Sequence, residues 1–254
     1  MSVTGISRPV RAADFECLQV PELKGWQQWR AHMVDRIKRA AIAQLHHSQG
    51  GEALLLRMYL VGEEATECAL MDEWSQHAPP WLQQQIEQHL SDEQHHAKAF
   101  AQALRERGFA VPVERGQTEP DRLSQAKISR WKKLSQRYAV QFKQGLLVPA
   151  YVTGLCAEQM ALRVLSRHCA VIGSQHGMYP LLARVLSDEK RHVQLCQDTL
   201  QKLVAAEEIP ALKRLLAEVR AIDASFGVSG AVAMYAAGIY YRVFSTANTA
   251  STTA

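Results

Sequence analysis

The chain has 254 residues, 47% of them apolar, with 9 prolines, 14 glycines and 29 basic against 25 acidic side chains. This is the balance of one ordinary globular domain with enough apolar material for a full core, and it excludes a collagenous, low-complexity or disordered chain. The formal charge of +4 is scattered among acidic residues with no basic stripe, so nucleic acid is permitted as a partner without being indicated.

Cys17, Cys68, Cys156, Cys169 and Cys196 are odd in number and include no Cys-x-x-Cys. That argues against a disulfide framework and a rubredoxin-like iron site, and it fits a reducing cytoplasm. The opening stretch, MSVTGISRPVRAADF, lacks the apolar region of a secretory leader.

Apolar residues recur at spacings of three and four nearly throughout, and β-branched alternation is almost absent, which predicts an all-α fold of six or seven helices in one domain over 1–254. A preliminary helix is expected from about Lys24 to His47, stopped by Ser48-Gln49-Gly50-Gly51. The second runs from about Glu52 to His77 and stops at Ala78-Pro79-Pro80. The third starts at that proline pair and reaches about Arg107. Phe109 to Arg122 carries Pro112, Gly116, Pro120 and a Thr118-x-x-Asp121 cap signal, and reads as the one long connection. Beyond it a helical pattern runs from Leu123 to Ile172, where Pro149 should cost a hydrogen bond and produce a kink. Gly173 to Tyr179 turns the chain into a helix from about Pro180 to Ala206. Pro210 introduces a shorter helix to about Asp223. The Gly- and Ala-rich stretch from Phe226 to Tyr241 is too short an apolar run to span a membrane; it is expected to pack closely on the bundle in preference to docking on lipid or a second subunit.

The heptapeptide Leu-Ser-Asp-Glu-x-x-His occurs twice, as Leu90–His96 and Leu186–His192. Residues three apart share a helix face, so Glu93 with His96 and Glu189 with His192 each project a carboxylate and an imidazole in one direction. Such pairs suit divalent iron, manganese or zinc. Each repeat needs a further donor from the preceding helix. In the second half it is Glu158, set among Tyr151, Leu155, Ala161, Leu162 and Leu165 at helical spacing, where an unpaired charge would cost several kcal/mol that coordination offsets. In the first half Glu63, Glu64 and Glu67 compete. Glu63 and Glu64 match the depth of Glu158 along the helix, and of those two Glu63 lies on the face of Leu56, Tyr59, Leu60, Leu70 and Trp74, which Glu67 shares less centrally, while Glu64 falls beside Arg57. Glu63 is therefore the expected ligand, with Glu67 as the alternative, although the local sequence around Glu67 aligns better with that around Glu158.

Glu63, Glu93-x-x-His96, Glu158 and Glu189-x-x-His192 together resemble the ligand pattern of the ferritin-like di-iron carboxylate superfamily, over about residues 52–206. The resemblance implies a ferritin-like four-helix bundle, flanked here by additional helices at about 24–47 and 211–244. It implies two iron ions, with manganese as the alternative, held by Glu63, Glu93, His96, Glu158, Glu189 and His192, the four carboxylates forming the catalytic set. The activity it implies is dioxygen-dependent hydroxylation or oxidation of a small organic substrate, with electrons from an external donor because the chain has no flavin or nicotinamide fingerprint. A homodimer is compatible with it. Ferroxidase, peroxide-handling or manganese-catalase-like activity is the alternative, and a metal-free interaction bundle is third. His89, one turn before Glu93, is left undecided as an outer partner of the site. His95 is expected on the surface, and Tyr59 and Tyr151 in the core near the site. Asp92 and Asp188 should face away from the metals, able to touch only the ligand histidines of a neighbouring helix.

Overall fold

Among the residues that the computed structural model describes, 11–70, 78–111 and 122–244, all regular structure is helical. The expected end of the second helix, the middle of the long connection and the extreme N-terminus lie outside the described residues. A short 3-10 helix, Ala12–Leu18, precedes α1 (Gly25–Leu45), α2 (Gln49–Ala69), α3 (Pro80–Glu106), α4 (Arg122–Ala139), α5 (Leu147–Ile172), α6 (Tyr179–Leu203) and α7 (Ile209–Phe244).

The direction of each core helix can be followed through two apolar clusters. One contains Leu70, Ile86, Leu155, Cys196 and Leu200; the other contains Leu56, Leu60, Phe100, Leu104, Leu165, Leu182 and Val185. α2 and α6 run from the second cluster to the first, whereas α3 and α5 run from the first to the second. The four helices are thus arranged up, down, down, up. α2 packs chiefly on α3 and α5 on α6, two antiparallel pairs. Two successive helices pointing the same way need a connection that returns the length of the bundle, and α4 lies in that connection. Its Trp131, Leu134 and Tyr138 are buried, and Trp131 Nε1 donates to the carbonyl of Val219 on α7 at 3.3 Å.

Three helix boundaries differ from expectation, each for a local reason. The expected helix over Leu123–Ile172 is two helices separated by turns at 140–146. Pro149 is the third residue of α5, where its missing N–H would have had no intrahelical partner, so it begins a helix and makes no kink. The Gly50-Gly51 pair does not stop α1. α1 ends at Leu45, and both glycines lie in the first turn of α2, whose cap Ser48 accepts from the Gly51 amide at 3.0 Å. Gly51 serves close approach instead, since a Cβ there would lie 2.1 Å from the carbonyl oxygen of Leu45.

The third difference is at the C-terminal end. The short helix and the Gly/Ala-rich stretch form one 36-residue helix, α7. Its small residues do permit close packing on one side, where the Cα of Gly238 faces Ala41 and Gln44 of α1. Its other side is not covered: Val232, Tyr235, Ile239 and Tyr240 are exposed. As a continuous helix it is long and apolar enough to cross a membrane, and only 11% of its most apolar window is buried.

Gly51→Ala is expected to lower unfolding stability by several kcal/mol, because the methyl group meets backbone that cannot move independently of both helices. Gly62→Ala, in the same helix with nothing within 4 Å of the added carbon, should raise stability by about 0.5–1 kcal/mol. Urea unfolding midpoints of the two variants would check this opposite pair of signs.

Candidate metal centre

Between the two apolar clusters lies a layer built from charged side chains of all four core helices. Glu63, Glu93, Glu158 and Glu189 are buried, as are His89, His96 and His192. Each comes from the middle of an amphipathic helix, one or two turns from large apolar residues at both ends, so the layer is closed above and below.

The seven side chains divide into two groups whose ligand atoms lie within 4.8 Å of one another: Glu63, Glu93, His96 and Glu189, and His89, Glu93, Glu158 and His192. Glu93 belongs to both. All six residues singled out in the sequence are brought together, and His89 joins them. Its Nε2 lies 3.2 Å from Glu93 Oε1 and 3.3 Å from Glu158 Oε1, and its ring lies 3.9 Å from that of His192. The signal for His89 was the four-residue spacing to Glu93, which places His89, Glu93 and His96 along one stripe of α3.

The alternatives on α2 fall elsewhere. Glu67 is buried but takes a hydrogen bond from Gln94 Nε2 at 3.0 Å, and it is in neither group; nor is Glu64. His95 is exposed and donates from Nδ1 to the Ser91 carbonyl at 2.6 Å. Tyr151 is buried in the apolar cluster on the Leu155 side, and Tyr59 bonds through its hydroxyl to His168.

Each Asp of the repeated motif touches the His of the other copy. Asp188 lies 3.0 Å from His96 Nε2 and Asp92 lies 3.3 Å from His192 Nε2. Arg191 pairs with both aspartates. An Nε2–H held by carboxylate leaves the Nδ1 lone pair directed inward. His96 Nδ1 is 3.3 Å from Glu63 and His192 Nδ1 is 3.1 Å from Glu93. This is the outer support that fixes the tautomer and raises the basicity of a ligating imidazole.

The donor set fits a pair of cations better than it fits itself. His89 Nε2, Glu93 Oε1, Glu158 Oε1, Glu189 Oε2 and His192 Nδ1 are buried and make no hydrogen bond of acceptable geometry, although contacts among them are as short as 3.1 Å. Atoms that converge without bonding to one another are poised around a shared centre. Left without metal, the site must hold protons. Burial and the adjacent Glu93 and Glu189 carboxylates push Glu63 well above the usual carboxylate range, and burial with Glu158 does the same to Glu189. Burial raises Glu93 too, but the imidazoles of His192 and His89 outweigh it and hold that carboxylate well below the usual range. For His192 burial works downward and is overcome by Glu189 and Glu93, which push it up to about 11. Mixed carboxylate and imidazole ligands suit iron, manganese or zinc.

A cavity of about 1410 Å³ reaches this layer, with Glu63, His89, Glu93, Glu158 and Glu189 in its wall. The rest of the wall is mainly apolar and includes Leu60, Ala161, Val164 and Leu165 of α2 and α5, and Met234 and Ala237 of α7. Comparison of the chain with protein-family models, with curated proteins and with solved structures returned no match.

In protein incubated with excess ferrous iron or manganese, His89→Ala is expected to bind one metal equivalent fewer than the parent while staying folded, with Glu64→Ala matching the parent; metal analysis after desalting reads the difference. Asp92→Asn or Asp188→Asn should weaken metal affinity by roughly 10- to 100-fold. The metal-free protein should also lose stability between pH 7 and pH 9. In that window the folded site keeps the proton on His192 with a pKa near 11, whereas the unfolded chain has released it above 6.5. Glu63 and Glu189 act in the same direction, so the unfolded state binds fewer protons and stability falls as pH rises. Bound metal replaces these protons, and thermal melts of metal-loaded protein should be flatter over the same range than melts in chelator.

Proposed function

We propose that the protein is an oxidoreductase of the ferritin-like di-iron type, in which two iron ions, or manganese in their place, activate dioxygen to hydroxylate or otherwise oxidise an apolar organic substrate. The observation that carries this reading is the pair of four-residue groups sharing Glu93, with five unbonded donor atoms directed into them. The up, down, down, up order of the core helices, with a glutamate on two of them and Glu-x-x-His on the other two, supports the ferritin-like assignment.

Glu63 and His96 would hold one metal and His89, Glu158 and His192 the other, with Glu93 between them and Glu189 closing the first group. When bound, the metals supply Lewis acidity and the redox equivalents for dioxygen chemistry. The protein's part is positional. The two Asp–His pairs fix the imidazoles, the apolar layers exclude bulk water, and the carboxylates balance cationic charge that the interior could not otherwise carry. The chain has no fingerprint of a flavin or nicotinamide site, so electrons would come from an external donor.

The large apolar cavity favours an organic substrate over iron storage or peroxide disposal, neither of which needs such a volume beside the metals. Protein loaded anaerobically with ferrous iron should take up two equivalents per chain and then consume dioxygen, faster when an apolar ligand fills the cavity. Ala161→Phe should retain both metals and lose about tenfold or more of that ligand-dependent rate. Fast peroxide consumption, indifferent to any organic ligand, would favour the peroxide-handling alternative instead.

A further inference from the structure

A second set of histidines lies outside the metal centre, where α1, α2, α5 and the loop between α5 and α6 meet. The Tyr59 hydroxyl is 2.6 Å from His168 Nδ1, His168 Nε2 is 2.6 Å from His46 Nε2, and His46 Nδ1 is 3.0 Å from Glu52 Oε1. Four side chains, two from α2, one from α5 and His46 at the C-cap of α1, thus form one unbroken hydrogen-bonded line.

Its donors and acceptors admit one arrangement. Arg107 Nε donates to Glu52 Oε2 at 3.0 Å, and although burial raises Glu52, His46 and Arg107 together hold it below its ordinary value, so it is a carboxylate. His46 Nδ1 must then donate to it. A neutral His46 has only a lone pair left on Nε2, which makes His168 Nε2 the donor between the two rings and leaves His168 Nδ1 to accept from Tyr59. Burial, chiefly, keeps both rings neutral, and with His46 and His176 beside it His168 falls to about 3. The other titratable or charged groups acting on this line are Arg107 at the C-cap of α3, Arg167 and Cys169 of α5 and His176 of the loop.

His46, Glu52 and His176 are also near enough to one another to hold a metal ion. The tautomer of His176 argues against that use. The Met178 amide donates to His176 Nδ1 at 3.2 Å, which puts the ring proton on Nε2, the nitrogen 3.5 Å from Glu52. That nitrogen has no lone pair to offer a cation.

The two ends of the line differ in surroundings. Tyr59 stands one helical turn before Glu63 and shares the wall of the same cavity with Glu63, His89 and Glu93. At the other end Glu52 lies beside His176, whose side chain is 30% exposed. We propose that Tyr59, His168, His46 and Glu52 form a proton relay between the cavity of the metal centre and solvent. In the outward direction a donor in the cavity gives its proton to the Tyr59 oxygen as Tyr59 passes its own to His168 Nδ1. The His168 Nε2 proton moves to His46 Nε2, and the His46 Nδ1 proton moves to the Glu52 carboxylate, which releases it to water. Each group that gains a proton gives one up, so the net transfer is one proton from the cavity donor to solvent; it leaves both imidazoles in the opposite tautomer, which a proton passed inward along the same line, or rotation of the rings, resets. The same bonds run inward in reverse. Any use in turnover rests on the oxidative reading above, since oxidation with dioxygen both consumes and releases protons.

Two measurements test the relay. In metal-free, 15N-labelled full-length protein, imidazole nitrogen spectra should show His168 protonated only on Nε2 and His46 only on Nδ1 from pH 6 to pH 8. A His168 proton on Nδ1, or His46 and His176 shifting together on addition of zinc, would overturn it. In iron-loaded protein, His168→Ala should keep two irons and slow dioxygen-dependent turnover by about tenfold or more, within the usual range for a positioned proton-transfer group. Added imidazoles should restore the rate in proportion to their basicity, a dependence that mere filling of space would not produce. His46→Gln should be slowed likewise, and it serves if His168→Ala does not fold. Full rate in both variants with iron retained overturns the relay alone, whereas parent protein that binds no iron overturns the metal-centre reading before any relay variant is compared.

Discussion

Four carboxylates in one buried layer are the constraint from which the rest of the molecule follows. Each would cost several kcal/mol to bury ionised and alone, and Glu63, Glu93, Glu158 and Glu189 are close enough to repel. The fold meets that cost with three imidazoles directed into the same space and with apolar layers on both sides that hold the helices in register. Even so, several of the donor atoms find no hydrogen-bond partner. A structure that retains such a layer gains stability from whatever cations it binds, which couples the integrity of the bundle to the occupancy of its site.

The reciprocal Asp–His contacts explain why the repeated unit is longer than Glu-x-x-His. Within one helix, Asp92 and Asp188 point away from the centre their neighbouring glutamates face. Across the α3–α6 interface each meets the outer nitrogen of the opposite histidine, and Arg191 pairs with both. One short sequence, used twice in antiparallel helices, therefore supplies both candidate ligands and the carboxylates that orient their imidazoles.

Much of this was legible in the sequence because it depends on helical periodicity. The choice of Glu63 over Glu64 and Glu67 followed from matching depth and face, and of the three it is Glu63 that lies in one of the buried groups able to hold a metal ion. The same geometry left Asp92 and Asp188 free to meet histidines of a neighbouring helix, and the fold makes those contacts. His89 was undecided because one helix face alone cannot tell a ligand from its neighbour; that depends on Glu158 and His192 arriving from α5 and α6. Helix ends were less legible where they rest on tertiary contact. Gly51 reads as a stop signal but is needed for the approach of Leu45, and Pro149 reads as a kink because the break at 140–146 is marked by a single residue, Gly145, which adopts a positive φ there. The line from Tyr59 to Glu52 was not legible in the sequence: its two ends are seven residues apart on α2, but His46 and His168, which join them, come from the end of α1 and from α5.

Apolar character at the C-terminal end has two destinations. α7 turns Met234 and Ala237 toward the cavity and leaves Val232, Tyr235 and Ile239 in contact with solvent. The same helix thus borders the space beside the acidic layer and presents an apolar exterior, which its composition alone could not divide between inside and outside.

The central claim is that the buried layer holds two metal ions with Glu93 between them. Anomalous diffraction from crystals of iron-loaded protein, collected at the iron edge, tests it most directly. The account predicts two peaks, one bounded by Glu63, Glu93, His96 and Glu189 and the other by His89, Glu93, Glu158 and His192. A folded, iron-treated protein with no peak in this layer, or with its only peak beside His46 and His176, would contradict it.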